Sequence, residues 1–245
     1  MSRVKAVILA AGKGTRLHSE AHDQPKVLRE ADGRPLLHYV LSALDFLPRE
    51  DTVIVAGYKK EQVMARFPDY PYAIQEPQNG TGHAVQCARA QLQDFEGPVL
   101  VCCGDMPLLK KSTYQTLLAA HAENGCACTF LTGTSDLDLP YGRVIRDESG
   151  AFLRVVEDRD CTREEKAIRE LNAGVYVFDC RELLICLEML KNDNAQGEYY
   201  LTDVPELIRN RGGRIGLCCV ELGKEIIGVN TPEQLMLVEA CLRAR

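Results

Sequence analysis

Small and cationic side chains share the segment LAAGKGTRL at residues 9–17. Its two glycines allow backbone N–H groups to close around a phosphate, and Lys13 and Arg16 add positive charge. A Rossmann dinucleotide loop requires a third glycine where Arg16 and Leu17 stand, and a P-loop requires Ser or Thr after Gly-Lys, where Gly14 stands. The spacing therefore favours a phosphate cradle of another type, with a plain strand-to-helix turn as the alternative.

Amide and glycine residues dominate a second segment, QEPQNGTGHA at residues 75–84. The amide of Gln75 can pair with both a donor and an acceptor on a pyrimidine edge. Gly80 and Gly82 would let the backbone approach a flat base. The alternative is a glycine-rich turn that caps the following helix through Thr81. On the residues alone, both interpretations stay open.

A carboxylate follows the continuous apolar run PVLVCC at residues 98–103, which ends in Gly104-Asp105. In a parallel α/β sheet, a carboxylate at the carboxyl end of a strand lies where ligands bind. It would suit Mg²⁺, which prefers oxygen ligands and substrate phosphates. A turn-forming Asp is the alternative, and Lys26 in PKVL is by itself typical of a solvated loop.

Short apolar strands and amphipathic helices alternate in the first half of the chain and would position these residues. Strands are predicted at residues 4–10, 52–57, 72–75 and 98–103, and helices at 35–47, 59–67, 81–93 and 112–124. This repetition predicts an α/β fold with a mostly parallel central sheet.

The second half of the chain has a different pattern. Residues 143–147 and 151–157 alternate around a turn and predict a hairpin. Further strands are predicted at 174–178 and 215–220, with helices from Thr202 and Thr231. Since no linker or internal repeat is present, we expect one mixed-sheet domain with a terminal helix.

Composition is close to the average of a soluble globular protein. The 245 residues include 29 Lys and Arg against 35 Asp and Glu, a formal net charge of −6. A mildly acidic chain without a basic block argues against a nucleic-acid partner, and no apolar run approaches the roughly 18 residues of a membrane helix. The 11 cysteines lack zinc spacing and resemble core residues of a reducing compartment. We therefore expect a cytoplasmic protein without a membrane partner or structural metal; no feature indicates an oligomeric state.

Nine motifs together resemble one family. They occur in the order found in the uridylyltransferase domain of bacterial N-acetylglucosamine-1-phosphate uridylyltransferases: LAAGKGTRL, PKVL, QEPQNGTGHA, GDMPLL, YGRVIRD, VVEDRD, LNAGVYVF, NAQGEYYLTD and GVNTPEQL. The glycine loop is common to sugar nucleotidyltransferases, whereas NGTGHA with NAQGEYYLTD is more specific. The resemblance implies a Rossmann-like nucleotidyltransferase fold whose hairpin-containing part binds the sugar.

The resemblance also implies site residues, carried over motif by motif. The expected nucleotide-binding residues are Leu9, Ala10, Ala11, Gly12, Gly14, Gln75, Gln78, Gly80 and Thr81. Arg16 and Lys26 are the expected catalytic residues, and Asp105 and Asn230 the expected Mg²⁺ ligands. The expected sugar-binding residues are Cys103, Gly104, Gly142, Glu157, Asn172 and Asn230.

The resemblance implies Mg²⁺-dependent transfer of UMP from UTP to N-acetylglucosamine 1-phosphate. Cys103 stands where the family usually has Tyr, so glucose or N-acetylgalactosamine 1-phosphate stays an alternative substrate, and a non-catalytic sugar-nucleotide sensor is a second alternative. The segment LHSEAHDQ before Pro25 is about three residues longer than usual. No β-helix repeat is present, so we expect a nucleotidyltransferase domain at 1–229, a C-terminal helix at 230–245 and no acetyltransferase domain.

Overall fold

A computed structural model describes residues 3–17, 23–134 and 139–244. The long segment before Pro25 falls partly at 18–22, outside the described residues. The strands are β1 (Lys5–Ala10), β2 (Glu30–Ala31), β3 (Arg34–Pro35), β4 (Thr52–Ala56), β5 (Tyr72–Ile74), β6 (Pro98–Cys103), β7 (Cys128–Gly133), β8 (Arg143–Arg146), β9 (Phe152–Val156), β10 (Leu171–Asp179) and β11 (Ile215–Cys219). The α-helices are α1 (Leu36–Ala43), α2 (Lys60–Arg66), α3 (Thr81–Cys87), α4 (Arg89–Leu92), α5 (Lys111–Asn124), α6 (Arg163–Lys166), α7 (Cys180–Leu187), α8 (Val204–Asn210) and α9 (Pro232–Arg243).

The central sheet has the strand order β11-β7-β10-β6-β1-β4-β5, and β8 and β9 extend it beside β10. Strands β6, β1, β4 and β5 run parallel to one another, and β11 runs parallel to β7. Strand β10 is antiparallel to both β6 and β7. The predicted α/β fold with a mostly parallel sheet is therefore confirmed, with one antiparallel strand in its interior.

Both faces of the sheet are buried. Along β1, Ala6 and Ile8 pack into the apolar cluster on one face, and Val7 packs into the cluster on the other. All three side chains are fully buried. A strand buried on both faces needs a continuous apolar sequence, which explains the unbroken run that predicted β1.

Two predicted helices are shorter than their patterns. The helix predicted at 81–93 is divided at Ala88, whose N–H bonds to the Val85 carbonyl three residues back. The helix predicted at 35–47 ends at Ala43, and turns continue to Leu47. Apolar side chains in these turns also face the core, so the hydrophobic pattern continues beyond the end of the helix.

The terminal helix α9 packs against α1, which belongs to the same domain as the sheet. Thr231 accepts a hydrogen bond from Gln234 N at 3.3 Å, and the Gln234 side chain accepts one from Thr231 N in return. Val238 is fully buried in a small cluster that includes Leu36 of α1. Among the described residues, no helix is long and apolar enough to span a membrane.

Candidate active site at the carboxyl ends of the parallel strands

Two adjoining cavities open beyond the carboxyl ends of β1 and β6. The first, which we call the loop cavity, has a volume of about 240 Å³. The second, which we call the hairpin cavity, has a volume of about 180 Å³. Four residues line both cavities, namely Leu9, Thr81, Cys103 and Asp105.

Small residues and backbone form most of the loop cavity. Its lining includes Leu9, Ala10, Ala11, Gly12, Lys26, Gln75, Gln78, Gly80 and Thr81. Nine of the residues expected to bind the nucleotide or its phosphates therefore surround one space. The narrow walls depend on glycine: a Cβ at Gly57, just after β4, would lie 2.8 Å from the Gln75 carbonyl oxygen.

The segment at 75–84 is held rigidly against residues 199–201. Gly80 has φ +104°, and a Cβ there would lie 2.6 Å from the Tyr199 carbonyl oxygen, so only glycine fits without strain. Thr81 Oγ1 accepts a hydrogen bond from Leu201 N at 3.0 Å. Gln75 is buried and donates from Nε2 to the Gly80 carbonyl at 2.8 Å. The loop is thus preorganised before any ligand binds.

Strands β8 and β9 pair antiparallel and form the predicted hairpin. Glu157, just after β9, and Asn172 and Tyr176 of β10 line the hairpin cavity together with Gly142. Asn172 is buried and donates from Nδ2 to Tyr176 Oη at 2.5 Å, while its Oδ1 accepts from Gly174 N at 3.1 Å. Glu157 accepts a hydrogen bond from Thr202 Oγ1 at 3.0 Å. Burial raises the pKa of the Glu157 carboxyl, although the Thr202 bond opposes the shift.

A lysine and two oxygen ligands meet where the cavities join. Lys26 Nζ forms an ion pair with the Asp105 carboxylate and donates to Asn230 Oδ1 at 3.0 Å. The Gly104 N–H bonds to the Leu9 carbonyl at 2.9 Å, which fixes the turn after β6. Three side chains from distant parts of the chain therefore converge on one point.

The chemistry of this junction fits a hard divalent cation. Asp105 and Asn230 both present oxygen atoms to the single positive charge of Lys26. Mg²⁺ commonly binds one or two carboxylates and takes its other ligands from water and substrate phosphates. Within the described part of the chain, no group of three or more His, Cys, Asp or Glu side chains could hold a metal ion. A cation here would depend on substrate oxygens.

Three expected site residues lie outside the cavity walls. Gly14 has φ +70° in the turn after β1, and its carbonyl accepts the Leu17 N–H at 3.1 Å. Arg16 is exposed, and its side chain forms no hydrogen bond or ion pair with residues that the structure describes. Gly104 is buried behind the junction. The ligand roles expected of these residues stay predictions.

A family comparison decides the class of protein. The model of the MobA-like NTP transferase domain matches residues 6–174, which include both glycine segments, Asp105 and most of the hairpin cavity. The chain belongs to the MobA-like NTP transferase family. The predicted nucleotidyltransferase class is thereby confirmed.

Curated relatives of this nucleotidyltransferase include two proteins named bifunctional protein GlmU. The protein from Brevibacillus brevis is 42% identical over 247 residues, and that from Thermoanaerobacter pseudethanolicus is 42% identical over 246 residues. Each alignment covers 100% of this chain and 53% of the relative. The chain therefore spans about half the length of these relatives.

A solved structure shares the fold of this nucleotidyltransferase. It is a putative glucose-1-phosphate thymidylyltransferase from Bacillus anthracis in complex with a sucrose. The TM-score is 0.77 at 17% sequence identity, and the alignment covers 99% of this chain and 96% of the other. This similarity confirms the expected nucleotidyltransferase fold.

Several cavity residues of this nucleotidyltransferase were not singled out from the sequence. They include Met106, Tyr141, Tyr176, Thr202 and Gly228. All five lie within motifs that carried the family resemblance, and all except Thr202 lie within four positions of an expected site residue. Their role was hidden because adjacent positions in a strand or turn need not face the same cavity.

Proposed function

We propose that this nucleotidyltransferase transfers UMP from UTP to N-acetylglucosamine 1-phosphate and releases pyrophosphate, with Mg²⁺ as cofactor. The observation that carries the proposal is the pair of cavities that meet at Lys26, Asp105 and Asn230. A reaction between two phosphorylated substrates needs two pockets and a cationic junction between them. The more specific motifs NGTGHA and NAQGEYYLTD and the 42% identity to GlmU proteins support the choice of substrates.

UTP would occupy the loop cavity. Its base would lie against Gln75 and the backbone at Gly80 and Thr81, where Ala10, Ala11 and Ala84 leave a shallow, flat space. A pyrimidine presents both donors and acceptors to such amide groups. The triphosphate would extend along Gly12 toward Gly14 and Arg16, whose exposed guanidinium is not engaged by the described residues.

The sugar 1-phosphate would occupy the hairpin cavity. The carboxylate of Glu157 and the amide of Asn172 offer hydrogen-bond partners to sugar hydroxyl and amide groups. The wall at Gly142 is built on glycine, because a Cβ there would lie 2.7 Å from Val155 Cγ1 in the core. The phosphate end of the sugar would then point toward Lys26 and Asp105.

Positioning and charge neutralisation would supply the catalysis. The sugar-phosphate oxygen attacks the α-phosphorus of UTP in line; the new phosphorus–oxygen bond forms as the bond to pyrophosphate breaks. The nucleophile is already ionised, so no general base is required. Lys26 would exchange its contact with Asp105 for phosphate oxygens and neutralise their developing charge.

The cysteine that lines both cavities, Cys103, is not suited to form a covalent intermediate. Burial raises the pKa of the Cys103 thiol, and the Asp105 carboxylate adds to the shift. The thiol therefore stays protonated at neutral pH and is a poor nucleophile. Asp105 and Asn230 would hold Mg²⁺, which when bound neutralises phosphate charge.

A substrate panel tests the proposed function. Purified protein is incubated with UTP, Mg²⁺ and N-acetylglucosamine, N-acetylgalactosamine or glucose 1-phosphate, and pyrophosphate is measured. We expect fastest release with N-acetylglucosamine 1-phosphate. The variant Lys26→Met is the site control, and Lys224→Met, at a position outside both cavities, is the matched surface control.

Each outcome of the panel has a clear meaning. A higher rate with another sugar would keep the reaction and change its substrate. Release in the wild type but equally in Lys26→Met would contradict the assigned junction. No release with any sugar, together with retained binding of UDP-N-acetylglucosamine, would favour a sugar-nucleotide sensor and overturn the proposal.

A further inference from the structure

One tyrosine connects the wall of the hairpin cavity to the segment that carries Asn230. Tyr141 lines the cavity, and its Oη accepts a hydrogen bond from Gly228 N at 2.7 Å and donates one to the Ile226 carbonyl at 2.8 Å. Burial raises the pKa of the Tyr141 phenol. The hydroxyl therefore keeps its proton and remains a donor at neutral pH.

The segment held by Tyr141 leads directly to the junction. Val229 N donates to the Asp105 carbonyl at 2.9 Å, and Asn230 Oδ1 accepts from Lys26 Nζ at 3.0 Å. Asn230 Nδ2 also lies 3.4 Å from the Gly228 carbonyl. A shift of Gly228 would thus move Asn230 relative to Asp105. The hydrogen bonds of the Tyr141 hydroxyl go to the backbone at residues 226 and 228, and not to the side chains of Asn230 or Asp105.

The other end of Tyr141 is anchored in the sugar side of the site. Its carbonyl accepts a hydrogen bond from Arg143 Nη1, and Arg143 is buried and paired with Asp158 at 3.4 Å. The next carbonyl, of Gly142, accepts from Asn172 N at 2.9 Å. The ring is therefore fixed in the wall that a sugar would contact.

We propose that Tyr141 is a positioning residue that couples occupancy of the hairpin cavity to the placement of Asn230 for a divalent cation. The proposal rests on the proposed function, which assigns the sugar to this cavity and the cation to Asp105 and Asn230. By thermodynamic linkage the coupling is reciprocal: the cation and the sugar nucleotide strengthen each other's binding.

The test measures binding without turnover. UDP-N-acetylglucosamine is titrated calorimetrically into the protein in excess Mg²⁺ and in EDTA, with no pyrophosphate present. The ratio of the two dissociation constants measures the coupling. For Tyr141→Phe, which keeps the ring, we expect this ratio to fall about tenfold relative to the wild type, with binding in EDTA changed by less than about threefold.

The control is Tyr39→Phe, which also removes one hydroxyl bonded to a backbone carbonyl, at 2.7 Å from Ala31 O and outside both cavities. It should leave the ratio unchanged. Equal weakening in Mg²⁺ and EDTA by Tyr141→Phe would show a purely structural wall residue and overturn the proposal. Failure of the wild type to bind the sugar nucleotide would instead overturn the proposed function.

A second measurement uses only the wild type, so the proposal can still be tested if Tyr141→Phe does not fold. Hydrogen–deuterium exchange of residues 226–230 is followed in the wild type in EDTA, with UDP or with UDP-N-acetylglucosamine. The sugar should slow exchange in this segment by about tenfold beyond the effect of UDP. Equal protection by the two ligands would contradict the proposal.

Discussion

Removing the Asp105 carboxylate should destabilise the protein through Lys26. The two side chains are only 16% and 12% exposed, for Lys26 and Asp105 respectively. In Asp105→Ala the ammonium would keep the Asn230 oxygen at 3.0 Å but lose its counter-charge. Removal of one partner from a fully buried pair costs about 3–5 kcal/mol. Because one partner survives and the cavity admits water, we expect a loss of about 2 kcal/mol in the free energy of unfolding.

Urea unfolding of four proteins measures this effect: the wild type, Asp105→Ala, Lys26→Met/Asp105→Ala and Asp69→Ala. The double variant should recover to within about 1 kcal/mol of the wild type, since no isolated charge is left. Asp69 pairs with Arg49 at the surface, with side chains 64% and 62% exposed, so its loss should cost under about 0.5 kcal/mol. A cost for Asp105→Ala no larger than for Asp69→Ala would refute the reasoning. Both variants that lack Asp105 should lose pyrophosphate release.

Three further predictions concern the loop, the base and pH. Gly80→Ala should lower the free energy of unfolding by about 3 kcal/mol. The control Gly150→Ala should lower it by about 1 kcal/mol, because Gly150 also has a positive φ but no atom lies near the position of an added Cβ. Equal losses in urea unfolding would contradict the close contact at Gly80. UTP should exceed ATP and GTP by about 100-fold in kcat/KM, because we expect Gln75 and the backbone at Gly80 and Thr81 to fit a pyrimidine and not the larger purine. Comparable rates in competition would refute this. Burial raises the pKa of Asp203 to about 6, so its charge destabilises the fold above that pH. Allowing for solvent screening, Asp203→Asn should gain about 1 kcal/mol at pH 8, and the gain should fall away through pH 6 toward pH 4; a pH-independent difference would contradict it.

Most strands were predictable because each buried strand requires a continuous apolar run. The direction of β10 was not, since a strand's sequence carries no sign of whether its neighbours run with or against it. Helix α7 was missed because it begins at Cys180, immediately after β10, without a glycine or proline between them. The one local signal was Asp179, whose side chain accepts the Glu182 N–H at 3.1 Å as a helix cap.

The convergence of the site could not be read from local spacing. Lys26 and Asn230 touch although 204 positions separate them, and neither lies in a long regular element that would predict its neighbour. The location of Asp105 at the carboxyl end of a parallel strand, by contrast, follows from sheet topology. The contacts of Tyr141 could not be predicted either. Its motif was apparent in the sequence, but its two backbone hydrogen-bond partners at residues 226 and 228 depend on tertiary packing.

Isotope exchange between labelled pyrophosphate and UTP tests direct transfer across the junction most sharply. Purified protein, UTP, Mg²⁺ and labelled pyrophosphate are incubated with and without UDP-N-acetylglucosamine and N-acetylglucosamine 1-phosphate. If the sugar phosphate attacks UTP directly, label should enter UTP only when the sugar compounds are present. Label entering UTP without any sugar, or failing to enter under either condition, would contradict direct transfer to a sugar phosphate.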